Sequence, residues 1–158
     1  MLITAIAAVD RNWGIGYKGK LPWPHNARDM KHFKDYTLGK AIVMGKNTYN
    51  EVGDLPDRAI YVVGKDPMQD LASIILRGQG ELVIAGGAYI YEQFAYACNH
   101  LVLTQFDAVY EADKYLPESL RATTASEMPN WQLLSATYYS GLGDDPAMTI
   151  ASFRRVHK

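Results

Sequence analysis

Residues 81–94 read ELVIAGGAYIYEQF. The run ELVIAG (81–86) is short, apolar and unbroken, and its length and β-branched content favour a strand over a helix. An unbroken apolar run has no solvent face, so it suits a strand buried on both sides, as in a parallel sheet. AYIYEQFAYA (88–97) then reads as a helix, with Gly86 and Gly87 making the turn between them. A strand passing through a tight turn into a helix is the repeating unit of an α/β layered fold.

The same pattern recurs on both sides of this stretch. LITAIAAV (2–9), AIVMG (41–45), AIYVVG (59–64) and HLVLTQFD (100–107) are further candidate strands. Residues 27–36 and about 47–53 are further candidate helices. The tail differs: WQLLSATYYS (131–140) and MTIASFRRV (148–156) alternate and flank GLGDDPA, which predicts an antiparallel hairpin. Tyr138 and Tyr139 suit an edge strand or an interface. The expected architecture is a mostly parallel sheet with an antiparallel end.

Composition bounds the function. A chain of 158 residues predicts one domain spanning 1–158. Hydrophobic residues make up 48% and charged residues 21%, ordinary values for a globular protein. A net charge of −1 provides no basic field, so neither a nucleic acid nor a membrane is an expected partner. The single cysteine, Cys98, has no internal partner for a disulfide. The apolar run at the N-terminus ends at Asp10, too short for a signal peptide or a bilayer span. The expectation is a cytoplasmic monomer.

Two glycine turns could serve chemistry. VMGKNTY (43–49) and IAGGAYIY (84–91) each lead from strand to helix, where backbone N–H groups can hold phosphate. Both could equally be ordinary tight turns. At the carboxyl ends of neighbouring parallel strands, they lie where open α/β sheets bind ligands. Lys46 follows one turn and Lys65 follows the strand ending at Gly64, so each could take a terminal phosphate or remain a solvated surface lysine. Neither of these turns carries the G-x-G-x-x-G fingerprint or the P-loop motif. NWGIGYKGKLPW (12–23) reads as a flexible loop ending in an aromatic anchor, either an active-site lid or a plain surface loop.

One carboxylate is out of place. A helix starting near Asn26 puts Asp29, Met30 and Phe33 on one face. Asn26 is a favoured N-cap, and Asp29 falls where the acid of a capping box belongs. Asp29 is therefore either a cap or a functional acid. His25, His32, His100 and His157 show no metal-ligand spacing, so no metal is expected.

Taken in order, AAVDRNWGIG, LPW, Asp29 with Phe33, TLGKAIVMGKNTY, LPDR, ELVIAGGAYIYEQF, LVLTQFDAVYEAD and YLP resemble the dihydrofolate reductase family. The resemblance runs from about residue 2 to the C-terminus. It implies an eight-stranded, mostly parallel sheet with about four helices and an antiparallel C-terminal hairpin. It also implies an NADPH-dependent oxidoreductase of one-carbon metabolism, reducing 7,8-dihydrofolate to 5,6,7,8-tetrahydrofolate.

The site residues implied by the resemblance fall into three groups. Asp29, Trp23, Tyr91 and Thr104 would be the catalytic set: Asp29 on the pterin 2-amino group and N3, Thr104 behind it, Tyr91 at the boundary of cofactor and pterin. Thr4, Ala5, Met30, Phe33, Val52, Leu55 and Ala85 would bind substrate, the carbonyls of Thr4 and Ala85 facing the pterin 4-position. Arg58 would hold the glutamate α-carboxylate. NADPH would meet Ala8 and Ile15 at its nicotinamide, with Gly16 and Leu21 in the lid. Gly45, Lys46, Asn47 and Thr48 would take its phosphates, and Val63, Gly64 and Lys65 would lie near the adenosine 2′-phosphate. Gly86 and Gly87, joined by a cis peptide in the family, would let the backbone approach the cofactor, followed by Ala88, Tyr89 and Ile90. Glu51 stands where a small serine is common, and Tyr89 where an arginine often assists the 2′-phosphate. The competing readings are a pteridine or riboflavin-pathway reductase of related fold, and a binding module without catalysis.

Overall fold

The computed structural model describes residues 1–77, 80–124 and 130–156. His157 lies outside them. In chain order the elements are β1 Leu2–Val9, β2 Gly14–Gly16, α1 Ala27–Thr37, β3 Ala41–Gly45, α2 Lys46–Val52, β4 Ala59–Val63, α3 Pro67–Leu76, β5 Glu81–Ile84, α4 Ala88–Phe94, β6 His100–Phe106, β7 Lys114–Tyr115, β8 Trp131–Tyr139 and β9 Met148–Arg155. A 3-10 turn, Ala95–Ala97, prolongs α4, so the expected helix 88–97 is a helix with a tightened last turn.

The main sheet runs β4-β3-β5-β1-β6-β9-β8. β4, β3, β5, β1 and β6 are parallel to their neighbours, and β9 and β8 close the far edge antiparallel. Among the described residues the sheet thus has seven strands where eight were expected. The two remaining pieces, β2 and β7, pair with each other in a separate two-stranded ribbon. They are only three and two residues long, too short to join a sheet.

β1 sits at the centre and sorts its side chains by alternation. Ile3, Ala5, Ala7 and Val9 enter the main core with Leu82, Leu101, Leu71, Tyr91 and Phe94. Ile6 enters the opposite layer with Val83, Val102, Phe33 and Tyr36, so α1 covers this face alone. β1 pairs with β5 on one side and β6 on the other, and the chain passes from β1 out to β3 and β4 before it returns to β5 and crosses to β6. That reversal marks the crevice at the carboxyl ends of β1, β5 and β6, the usual ligand position in open α/β sheets.

α3 has no counterpart among the helices located from the sequence. Its start is nonetheless encoded: the Asp66 side chain accepts from Gln69 N at 3.2 Å, and Pro67 occupies the first turn, where its missing N–H costs nothing. Among the described residues, no helix is long and apolar enough to cross a membrane.

Candidate active site

α1 brings the acid to the crevice. Asn26, buried, accepts from Asp29 N at 2.9 Å, so the helix is capped from its N-cap side chain. The Asp29 carboxylate does not complete a capping box. It accepts a hydrogen bond from the Thr104 hydroxyl, across on β6. Thr104 is itself buried and lies in register with Ala8 of β1. Burial holds the Asp29 carboxyl above the ordinary carboxylate range, and the Thr104 hydrogen bond partly offsets this. Phe33, one turn on, packs against Ile6 and Val102 and walls the same space. Met30 beside it is half-buried.

α4 supplies the opposing wall. Tyr91 is buried, and its hydroxyl donates to the Ile6 carbonyl at 2.5 Å. Desolvation, with the Cys98 and Asp29 charges adding to it, drives the phenol pKa up, so it stays protonated. The Gly86–Gly87 peptide is cis. A Cβ on Gly86 would stand 3.1–3.2 Å from the Tyr91 ring, and Gly86 has φ +101°, so a side chain is excluded on both counts. Gly86 also accepts from Gly45 N at 2.8 Å, tying the two glycine turns together. Ala85 packs in the layer of Phe33, beside Ile6.

Ile6 presents its carbonyl to Tyr91 at the end of the β1–β5 ladder, while Thr4 and Ala5 of the expected substrate set lie within that ladder. β1 pairs with β5 only over Leu2–Ala5, so Ile6 is the first residue past that ladder. Thr4 lies within both ladders of β1, and its hydroxyl serves Glu81 and His100 instead. Ala5 has no exposure and packs into the main core, away from α1. A backbone acceptor leaves no trace in residue type, so nothing in the side chain of Ile6 could have marked it.

The loop expected as a lid is anchored at its base by a residue absent from the expected set. Asp10, fully buried, accepts from Asn12 N at 2.9 Å and Gly14 N at 2.8 Å through Oδ1, and from Tyr110 N at 2.9 Å through Oδ2. Asp113 continues the tie: its N–H donates to the Gly16 carbonyl at 2.8 Å, and its carboxylate accepts from Lys18 N at 3.0 Å. Ile15 lies against the main core. Leu21 is exposed, while Trp23 is buried against Phe106, 4.7 Å between ring centroids, with Ala8 in the same cluster. The buried carboxylate in VDRNWG is the one available signal for Asp10.

The expected phosphate-binding residues share one end of the sheet. Gly45 and Val63 are register partners, so Lys46, Asn47 and Thr48 begin α2 beside Gly64 and Lys65. Lys46 and Lys65 are exposed. Gly64 N is held by the Asp70 carboxylate at 3.0 Å. Ile90 is buried against Gly45, Ala88 is half-buried, and Tyr89 is exposed. Val52, the last residue of α2, and Leu55 beyond it are half-buried. Arg58 donates from Nε to Thr37 Oγ1 at 2.9 Å, from one terminal nitrogen to the Pro56 carbonyl at 2.5 Å, and from the other to the Lys34 carbonyl.

The chain is similar to known proteins in sequence and in fold. A family model described as dihydrofolate reductase matches residues 2–140. The type 3 dihydrofolate reductase of Salmonella typhimurium is 36% identical over 132 residues, covering 76% of this chain and 81% of its own length. The dihydrofolate reductase of Bacillus subtilis is 32% identical over 148 residues, covering 85% and 83%. A solved dihydrofolate reductase from Enterococcus faecalis, complexed with NADP(H) and RAB-propyl, superposes with a TM-score of 0.82 over 99% of this chain and 97% of its own, at 24% identity. The matched span holds Asp29, the glycine pair and the loop anchored by Asp10, and the chain belongs to the dihydrofolate reductase family.

Proposed function

We propose that this chain reduces 7,8-dihydrofolate to 5,6,7,8-tetrahydrofolate with NADPH. The observation that carries the reading is the meeting of the Asp29 carboxylate, the Thr104 hydroxyl and the Tyr91–Ile6 bond with Gly86 at the carboxyl ends of the central strands.

The residues present fit a phosphorylated dinucleotide. At Gly45 a Cβ would crowd Ile90 Cγ1 at 3.1 Å, and at Gly87 it would touch Thr48 Oγ1 at 3.5 Å, so both turns keep bare backbone where a phosphate would approach. Lys46, Asn47, Thr48 and Lys65 offer cations and neutral donors at the ends of two adjacent strands. The chemistry supplied by bound NADPH is donation of a hydride to pterin C6, with a proton added at N5.

The chain's own residues do the rest. Asp29 pairs with the pterin 2-amino group and N3, and so favours the protonated, electron-poor ring. It sits beside apolar walls, where its charge is poorly screened. Thr104 fixes the direction of that carboxylate. Tyr91 spends its hydroxyl hydrogen on Ile6 and fixes the opposite wall. Val52, Leu55 and Met30 flank the substrate. Arg58 has five N–H donors and uses three on the protein, leaving one on each terminal nitrogen for the glutamate α-carboxylate. The lid, held by Asp10 and Asp113 and ending at Leu21 and Trp23, excludes bulk water and admits the water that carries the N5 proton. The proposal takes residues 1–158 as one domain, a cytoplasmic monomer without nucleic-acid or membrane partners, in keeping with the net charge of −1.

Loss of reduced-nicotinamide absorbance on mixing purified protein, NADPH and dihydrofolate tests this reading. Oxidation with another pterin or a ribosylated pyrimidine but not with dihydrofolate would assign a related-fold reductase instead. Binding of both ligands without turnover would leave a binding module. Equal efficiency with NADH would overturn the role given to Lys46 and Lys65.

A further inference from the structure

The end of the sheet opposite the acid carries a second polar cluster. Glu81, at the start of β5, has a side chain only 17% exposed. Its Oε2 accepts two hydroxyls, from Tyr36 of α1 at 2.6 Å and from Thr4 of β1 at 2.7 Å. Its Oε1 lies 3.7 Å from the Lys40 ammonium. Thr4 has one hydroxyl hydrogen; with that on Glu81, His100 Nδ1–H donates to Thr4 Oγ1 at 2.9 Å. One carboxylate therefore joins α1 to β1 and β5, and through Thr4 to β6.

Lys40 extends the clamp past the helix end. Its ammonium donates to the Tyr36 carbonyl at 2.5 Å and lies 3.9 Å from the Tyr36 ring centroid. Its backbone carbonyl accepts from Ala59 N at 3.2 Å, and Gly39 N donates to the Asp57 carbonyl at 2.9 Å. The backbone on both sides of Arg58 thus hangs from this segment. The Arg58 side chain does so too. Thr37 gives its hydroxyl hydrogen to the Phe33 carbonyl at 2.7 Å, which leaves its oxygen to accept from Arg58 Nε. Another of the Arg58 bonds goes to the Lys34 carbonyl, in the same helix.

We infer that Glu81 is a positioning residue: by holding Tyr36 and Lys40 it seats the last turn of α1, and with it the guanidinium of Arg58. Asp29, at the other end of α1, is held separately by Asn26 and Thr104. Loss of the clamp therefore acts on binding of the substrate tail and spares the chemistry at the ring. Because it concerns the tail-binding end of the dihydrofolate pocket proposed above, the inference rests on that reading.

The test compares two substrates, 7,8-dihydrofolate and a 7,8-dihydropterin lacking the glutamate tail. In Tyr36→Phe, which keeps the packed ring, and in Glu81→Ala, KM for dihydrofolate rises about fivefold, the scale of one hydrogen bond. Their kcat stays within about twofold, and KM for the tail-less pterin is unchanged. Glu81→Gln, which keeps an acceptor for both hydroxyls, returns KM to within about twofold of wild type. An unchanged KM, an equal rise for both substrates, a fall in kcat, or no recovery in Glu81→Gln would overturn the inference. If Glu81→Ala fails to fold, Tyr36→Phe carries the comparison. Wild-type turnover of dihydrofolate is measured first; its absence would sink the functional reading itself.

Discussion

Asp29 answers two demands with two different groups. Its backbone N–H completes the Asn26 cap, while its carboxylate turns across the crevice to Thr104. The sequence made both possibilities visible, because the residue lies three positions after a good N-cap and on the face of Phe33. Local spacing could not show the partner, since Thr104 lies 75 residues away in the chain; the family resemblance named it. The stability consequence has a definite sign. Burial raises the folded-state pKa above the ordinary value of 3.8, so between those two values the native state binds more protons than the unfolded state. Stability therefore falls as pH rises through that window and stays lowered above it. Asp29→Asn removes the loss. At pH 8, above that window, the unliganded variant should exceed wild type by about 1 kcal/mol, a melting shift of about 2–4 °C. The gap should close as pH falls below the unfolded value. Melting scans across this range check it; a variant less stable than wild type at pH 8 would contradict it. Ile6 marks the limit of residue-scale reading. It acts through a carbonyl, and any side chain carries one.

The loop after β1 is an element whose base is held by one buried carboxylate. Asp10 offers Oδ1 to two lid N–H groups and Oδ2 to Tyr110 N. An asparagine keeps one acceptor but turns an NH2 group toward a backbone donor. Asp10→Asn should therefore lower unfolding stability by about 1–3 kcal/mol, the range for a buried donor left unpaired. Urea unfolding measures this, and a shift below about 0.5 kcal/mol would show that the loop holds without Asp10. β2 was not separately legible, because a three-residue ribbon in a glycine-rich loop carries no periodicity. α3 was legible in principle. Asp66-Pro67 is a helix start, but PMQDLASIIL follows a run of strands closely enough to be passed over as connection. α1, α2 and α4 were located to within a few residues by the glycine turns and the Asn26 cap that precede them.

At the scale of the molecule, the parallel order of β4, β3, β5, β1 and β6 puts five carboxyl ends on one edge. The alternation of unbroken apolar runs with glycine turns made that order legible. The strand count was not, because β2 and β7 leave the sheet. Cys98 reports on the integrity of the whole. It is 1% exposed, its thiol donates to the Phe94 carbonyl at 3.4 Å, and burial pushes its pKa up to about 12. It should react with a thiol reagent at pH 8 only through global opening, with labelling accelerating in step with loss of helix signal in denaturant. Rapid labelling of the native protein would contradict the packing described for α4. The central claim joins fold to chemistry through one group, the Asp29 carboxylate. The most direct measurement is turnover of NADPH and dihydrofolate at pH 7 by wild type and by Asp29→Asn, with binding of both ligands followed separately. The expected result is an active wild type and a variant that still binds but turns over at least about 100-fold more slowly. Near-normal turnover in the variant would contradict the claim.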